Sequence, residues 1–318
     1  MNVRAHLRAL GPTWTHFTPL LIGLWPIYVL LRGELRWEMF ALAVIVPTLA
    51  FTNATTRKLY VGLFPLGAVA VVYDAMRYVK NLGVTPDRVH VCDLRDHELR
   101  LFGVTADGVR MTLQDYFQMH PVRWLDFVCA VPYGTFIFTS ALFATYIFRK
   151  DFLALQRYAW TFLLMNIVGF VTYHVYPAAP PWYFHAHGCV VDLASHASEG
   201  PNLMRVDAAL GVGFFHGFYG RASDVFGAVP SLHVAYPLLI LLEGYKHFRP
   251  LLRALAIAYF LAMCFAAVYL DHHWVIDVLV GLTYGTGINA ALRWLFARRK
   301  SARSEVTARS SFATASGE

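Results

Sequence analysis

The sequence predicts an all-α membrane protein, a polytopic bundle of about eight transmembrane helices with amphipathic helices at the interface. Three observations lead there. The 318 residues are 57% hydrophobic and only 15% charged, whereas soluble domains carry about a quarter charged residues. The apolar residues are gathered into blocks that approach the roughly 20 residues a helix needs to cross a bilayer. Lys and Arg collect at the ends of alternate blocks, as the positive-inside rule requires.

Taken in order, the blocks fall at 14–31, 37–54 and 60–78, which form an N-terminal unit, 1–78. The first is short and contains Pro26, but no small-residue cleavage site follows it, so it reads as a retained helix rather than a signal peptide. Residues 79–123 do not read as a span. "DRVHVCDLRDHELRLFG" alternates in sign and keeps apolar residues at mixed spacing, which predicts short amphipathic helices at the interface. Further blocks at 124–147, 155–176, 227–246, 251–270 and 275–296 make up a membrane core, 124–297. The loop 177–226 is rich in Pro, Gly, His and aromatics, and a connection of that length usually carries function. The tail 298–318 is small and polar and is expected to be disordered. No internal repeat is visible.

Placing Arg4 and Arg8 in the cytoplasm puts Arg57–Lys58, Arg149–Lys150, Lys246–Arg249 and Arg298–Arg299 there too. Both termini are then cytoplasmic, and the loops 32–36, 177–226 and 271–274 are extracytoplasmic. The net charge of +7 follows from this topology. It is no nucleic-acid footprint, because the basic residues are scattered and no binding motif accompanies them. Cys129 and Cys264 lie in apolar spans. Cys92 and Cys189 fall on the oxidising side, and spacing alone leaves their pairing open.

The same topology brings three unusual stretches to the outer face: "YPAAPPWY" (176–183), "GAVPSLHVAYP" (227–237) and "YLDHHWVID" (269–277). His273 and Asp277 stand four apart, on one face of a helix. A carboxylate there can fix an imidazole tautomer and leave the other ring nitrogen as nucleophile or base. The plainer alternative is a polar pair satisfying itself at a helix end. His233 opens an apolar helix beside Ser231 and Gly227. Backbone N–H groups and a hydroxyl at such a point form an anion cradle; the plainer alternative makes Ser231 an N-cap. Together, two histidines, an acid and an anion cradle at one depth point to phosphoryl chemistry.

"PSLH" followed by "HxxxD" resembles the second and third signature motifs of the phosphatidic acid phosphatase type 2 superfamily. The fuller order "YPAAPPWY", "FGAVPSLHVAYP", "YLDHHWVID" resembles its inositol phosphorylceramide synthase branch, the target of aureobasidin in fungi. The likeness runs over roughly 120–296. It implies a six-helix phosphatase-type core, and the compact loops suggest a bacterial member. By this resemblance His273 attacks the phosphorus of a phospholipid donor, phosphatidylinositol by analogy, to give a phosphohistidine. Asp277 holds its tautomer. His233 protonates the departing oxygen and later deprotonates a ceramide-like acceptor. Ser231 and neighbouring N–H groups hold the phosphate. No cofactor is implied.

The superfamily's usual first-motif Lys and Arg are missing from "APPW", and Ala267 stands where an upstream Arg is common. Arg205, Arg221 and His272 are candidates to neutralise the phosphate instead. Pro181, Trp182 and Tyr183 are candidates for head-group walls or for loop packing. Asp74 and Arg77 are candidates for a polyol contact or for a simple ion pair. No compact set of acidic ligands for Mg²⁺ or Ca²⁺ is present. "HAHGC" (185–189) with His196 and His216 lacks a diagnostic zinc spacing. Two other readings stay open: a hydrolase with water as acceptor, and a transporter using the His/Asp pair as a proton relay.

Overall fold

The computed structural model describes residues 14–195, 202–220 and 224–315. Among them are thirteen α-helices and one two-stranded hairpin. Helices α1 (Trp14–Leu31), α2 (Trp37–Phe51) and α3 (Ala54–Val79) form the N-terminal layer. Asn53 starts α3 through a capping box, its side chain accepting from the Thr55 and Thr56 amides at 2.9 and 3.0 Å. Next come α4 (Cys92–Phe102), the hairpin β1 (Val104–Ala106) and β2 (Val109–Met111), and α5 (Leu113–Met119). The core helices are α6 (Arg123–Lys150), α7 (Phe152–Val175), α11 (Leu232–Gly244), α12 (Pro250–Tyr269) and α13 (Val275–Ala315). Between α7 and α11 lie the short α8 (Pro181–His187), α9 (Leu203–Leu210) and α10 (Phe214–Tyr219).

Five of these helices are long and apolar enough to cross a membrane, and α1, α2 and α11 are shorter apolar helices. Large apolar side chains such as Leu20, Leu21, Leu142, Leu251 and Leu261 stay exposed, because a helix facing lipid has no reason to hide them. Helix α11 is the hub, packed against α6, α7, α12 and α13. One core gathers around Phe143, Tyr158, Phe162 and Leu239. A second gathers around Tyr133, Phe136, Val234, Met263 and Tyr269, directly beneath the site. A buried polar lock joins three core helices at their far ends. Arg157 on α7 donates to Glu243 Oε2 of α11 at 3.0 and 2.8 Å, and Asn289 on α13 donates to Glu243 Oε1 at 2.9 Å. With its partners present the buried charge is compensated; without them it would be costly.

One expectation changes. The tail does not turn irregular at 298; α13 continues as helix to Ala315, since extending a helix needs no new nucleation. The loop 177–226 carries secondary structure of its own. It holds three short helices, and Asp207 caps α10 by accepting from the Phe215 and His216 amides at 3.2 and 2.9 Å.

Segment 79–123 does form short helices, but they are docked onto the core. Cys92 and Cys189, whose pairing spacing left open, form a disulfide with Cα atoms 5.5 Å apart. Backbone around His90, Ala178 and Gly227 runs side by side as two parallel bridges. Ala179 N donates to His90 O at 2.8 Å, and Ala228 N to Ala178 O at 3.1 Å. This seam joins segment 79–123 to the first and second motifs.

Candidate active site

The turn from α12 into α13 presents the third motif. His273 N donates to Ala267 O at 2.9 Å, closing the turn. Asp271 adopts a left-handed backbone with φ +65°, which Asp tolerates better than most residues. The Trp274 side chain is fully buried, and its indole N–H donates to Ala179 O at 3.0 Å. The first motif therefore anchors the third.

The amides of Trp274, Val275 and Ile276, where α13 begins, are taken. Trp274 N donates to Asp277 Oδ2 at 2.8 Å, and Val275 N and Ile276 N donate to the two oxygens of Glu98 at 2.8 and 3.1 Å. Glu98 comes from α4, so a distant segment supplies the helix cap. Gln114 on α5 adds a bond from Nε2 to the His273 carbonyl at 3.0 Å. Burial raises the Glu98 pKa, and the donors from Val275, Ile276 and Gln114 oppose the rise.

Helix α11 brings His233 to the same point. His273 Nε2 lies 3.1 Å from His233 Nδ1. His273 Nδ1 faces two oxygens, the Ala228 carbonyl at 3.1 Å and Asp277 Oδ2 at 3.4 Å. Oxygens there require a proton on Nδ1, so Nε2 carries the lone pair and His233 Nδ1 is the donor between the rings. Burial pushes His273 down to about 4, although its bond to Ala228 opposes this. The imidazole is thus neutral near pH 7, the form a nucleophile needs. Burial and the neighbouring histidines push His272 well down too.

The surroundings are aromatic. Tyr133 stacks on His233 at 4.8 Å between centroids and lies 4.9 Å from His272, and Tyr219 is 5.2 Å from His272. Buried polar atoms here without a hydrogen-bond partner among the described residues include Tyr133 Oη, Ser231 Oγ, Asp271 Oδ1, His272 Nε2 and Asp277 Oδ1. Ser231 occupies the N-cap position of α11, but its hydroxyl makes no capping bond to the helix. Its amide donates to Asp277 O at 3.0 Å. A Cβ at Gly281 would lie 2.2 Å from Ser231 O, so only glycine lets α13 approach the start of α11 this closely.

The other candidates fall elsewhere. A Cβ at Gly227 would meet the Tyr173 ring at 2.9 Å, which gives Gly227 a backbone role in the seam. Pro181 is buried at the start of α8. Trp182 N donates to Asp271 O at 3.1 Å. Tyr183 is fully buried; its hydroxyl accepts from Asp192 N at 2.7 Å and donates to Val190 O at 3.2 Å. Pro181 and Tyr183 therefore pack the loop, and Trp182 holds the turn by its backbone. Arg205 is committed to Asp126 at 2.6 and 3.2 Å and to Asn202 at 2.6 Å, so its charge is already matched. Arg77 donates to Asp74 at 3.2 Å, and Trp25 Nε1 donates to the same carboxylate at 2.8 Å. That pair fastens α3 to α1. Cys189 is withdrawn from any zinc set by its disulfide. Arg221 and His196 lie outside the described residues.

Sequence reasoning missed Glu98, Gln114, Asp115 and the true setting of His185. The one available signal was "DHELRLF", where a glutamate sits next to the apolar side of an otherwise amphipathic helix.

The sequence profile of the PAP2 superfamily matches residues 108–291. A phosphoinositol dihydroceramide synthase of Bacteroides thetaiotaomicron is 34% identical over 88% of this chain and 90% of its own length. The inositol phosphorylceramide synthase catalytic subunit of Schizosaccharomyces pombe is 26% identical over 85% of this chain, and that of Saccharomyces cerevisiae 27% over 84%. The chain spans 62% and 64% of the length of these two fungal proteins. No solved structure matches the chain. The bacterial likeness runs nearly end to end and the family profile covers the stretch that builds the paired histidines, so the chain belongs to the PAP2 superfamily.

Proposed function

We propose that this protein is a membrane phosphotransferase that moves phosphoinositol from a glycerophospholipid to a ceramide-like alcohol through a phosphohistidine. The observation that carries the reading is the histidine pair: a neutral, buried His273 whose Nε2 lone pair points at a second imidazole 3.1 Å away. The printed names of the bacterial and fungal relatives supply the phosphoinositol and the ceramide class.

In the first half-reaction His273 Nε2 forms the N–P bond as the bond from phosphorus to the diacylglycerol oxygen breaks. His233 gives that oxygen a proton. It must be imidazolium to do so, and the anionic phosphodiester supplies the neighbouring charge that favours this form. Positive charge develops on His273 and is met by Asp277. In the second half the acceptor hydroxyl passes its proton to His233 and attacks phosphorus, and the N–P bond breaks. Such acid–base assistance is worth about 10²–10⁴ in rate.

A phosphodiester carries one negative charge where a monoester carries nearly two, so neutral donors suffice to hold it. Among the described residues Ser231 Oγ and His272 Nε2 are buried without partners, and Ser231 makes no side-chain cap to the first amides of α11. These groups replace the cations absent from the first motif. The amides of α13 are excluded from that role because Glu98 and Asp277 occupy them. The Cys92–Cys189 disulfide fits an oxidising compartment and supports an extracytoplasmic site with both termini cytoplasmic.

The test is purified protein in detergent with phosphatidylinositol, with and without short-chain ceramide, followed by lipid mass spectrometry. A phosphoinositol-ceramide product that disappears in His273→Ala is expected. Inositol phosphate released regardless of ceramide would make the protein a hydrolase. Neither product would refute phosphoinositol as the transferred group.

A further inference from the structure

We propose that His185 is a positioning residue: its imidazolium, held between Asp115 and Asp271, clamps the left-handed turn that presents His272 and His273. The proposal rests on the transferase reading only in its activity measurements.

His185 stands on α8, just past the first motif. Its Nδ1 is 2.7 Å from Asp271 Oδ2, and its Nε2 is 2.9 Å from Asp115 Oδ1. Carboxylates only accept, so both ring nitrogens must donate, and only the doubly protonated ring does that. A neutral ring would turn a lone pair toward one of the two carboxylates. The charges around it balance. Arg95 on α4 donates to Asp115 Oδ2 at 2.8 Å, so two carboxylates face two cations drawn from α4, α5, α8 and the turn. The Arg95 guanidinium also lies over the Phe184 ring, next to His185, at 4.5 Å.

Asp271 is the residue that needs holding. It is a non-glycine residue at φ +65°, it is 1% exposed, and it immediately precedes His272 and His273. Helix α8 grips it twice: His185 takes the side chain, and Trp182 N takes the carbonyl at 3.1 Å. If the side-chain grip is lost, Asp271 can relax toward ordinary backbone and carry His273 away from His233. A displacement of about 1 Å at reacting groups costs about 10²-fold in rate. Burial lowers the His185 pKa, but the bonds to Asp115 and Asp271 outweigh it and raise it to about 9. Burial likewise opposes ionisation of Asp115, yet His185 and Thr112 hold its carboxyl below the usual carboxylate range. The side chain of His185 is 26% exposed, so protons can reach it.

The sign follows directly. The folded value lies above the ordinary one of about 6.5, so the clamp is charged below pH about 9 and is lost as pH rises through it. The experiment has two arms. In the first, kcat and KM are measured against pH for wild type and His185→Gln. Wild-type kcat is expected to fall above pH about 9. His185→Gln is expected to lose about 10- to 100-fold in kcat at neutral pH, to keep KM within threefold, and to lack that alkaline limb. In the second, ¹⁵N-histidine shifts of the substrate-free wild type are followed with pH, and an imidazolium at His185 near pH 8 is expected. A neutral His185 at pH 8, an unchanged alkaline limb, or wild-type kcat in a folded variant would each overturn the proposal. If His185→Gln fails to fold, the ¹⁵N titration still decides. Failure of wild type to make the transfer product would sink the transferase reading and leave the second arm intact.

Discussion

Asp277→Asn separates two jobs that the proposed mechanism gives to one carboxylate. Oδ2 accepts the Trp274 amide at 2.8 Å and lies 3.4 Å from His273 Nδ1. An asparagine carbonyl can keep the amide bond, so the start of α13 is expected to stay folded. The negative charge beside His273 is what disappears. Two unit charges about 4 Å apart interact by about 4 kcal/mol at an effective dielectric of about 20, which is about 10³ in rate. The tautomer itself is held more closely by the Ala228 carbonyl, at 3.1 Å. The loss should therefore fall short of the roughly 10⁴ that follows when removing a carboxylate leaves the imidazole in the wrong tautomer. We expect kcat to drop about 10²- to 10³-fold with KM for the donor lipid nearly unchanged. The assay is ceramide-dependent formation of the phosphoinositol product, with thermal unfolding in detergent run beside it. A loss of less than tenfold would make Asp277 a helix cap and nothing more. A loss beyond 10⁴ in a folded variant would refute the role given to Ala228.

Two further substitutions test the packing of the site. Gly281→Ala places a Cβ 2.2 Å from the Ser231 carbonyl. It should cost about 1–3 kcal/mol in stability and more than tenfold in activity, whereas Gly287→Ala, with nothing within 4 Å, should leave activity unchanged; equal effects at both positions would refute the close-contact argument. Arg205→Gln removes the cationic partner of the buried Asp126 and leaves only the Tyr269 hydroxyl on that carboxylate among the described residues, so a lower unfolding temperature with donor KM within threefold is expected, and a tenfold rise in KM at unchanged stability would restore Arg205 as a phosphate ligand.

The apolar blocks were legible because bilayer thickness sets a length that composition alone can meet, and all eight spans have a helix in the structure. Where each helix stops was less legible. The run of Arg, Ser and Ala after 298 looks like loop by polarity, yet nothing in it breaks a helix before Ala315. His233, His273 and Asp277 were readable because their spacing and their order along the chain survive translation into sequence.

What surrounds them was not readable. Of the phosphate cations expected from the outer loop, Arg205 is spent elsewhere: it lies against Asp126, a partner 79 residues away. The cap of the helix that carries Asp277 comes from Glu98, 177 residues from Val275, and the contacts on its turn join Asp115, His185 and Asp271 from three separate segments. Local sequence therefore determined the membrane bundle, the paired histidines and the acid beside them, because helix period and bilayer length act over a few turns. Only the tertiary structure decided which nitrogen carries the lone pair, which helix-start amides remain uncapped and what holds the turn. Those depend on hydrogen bonds between residues that sequence spacing cannot bring together.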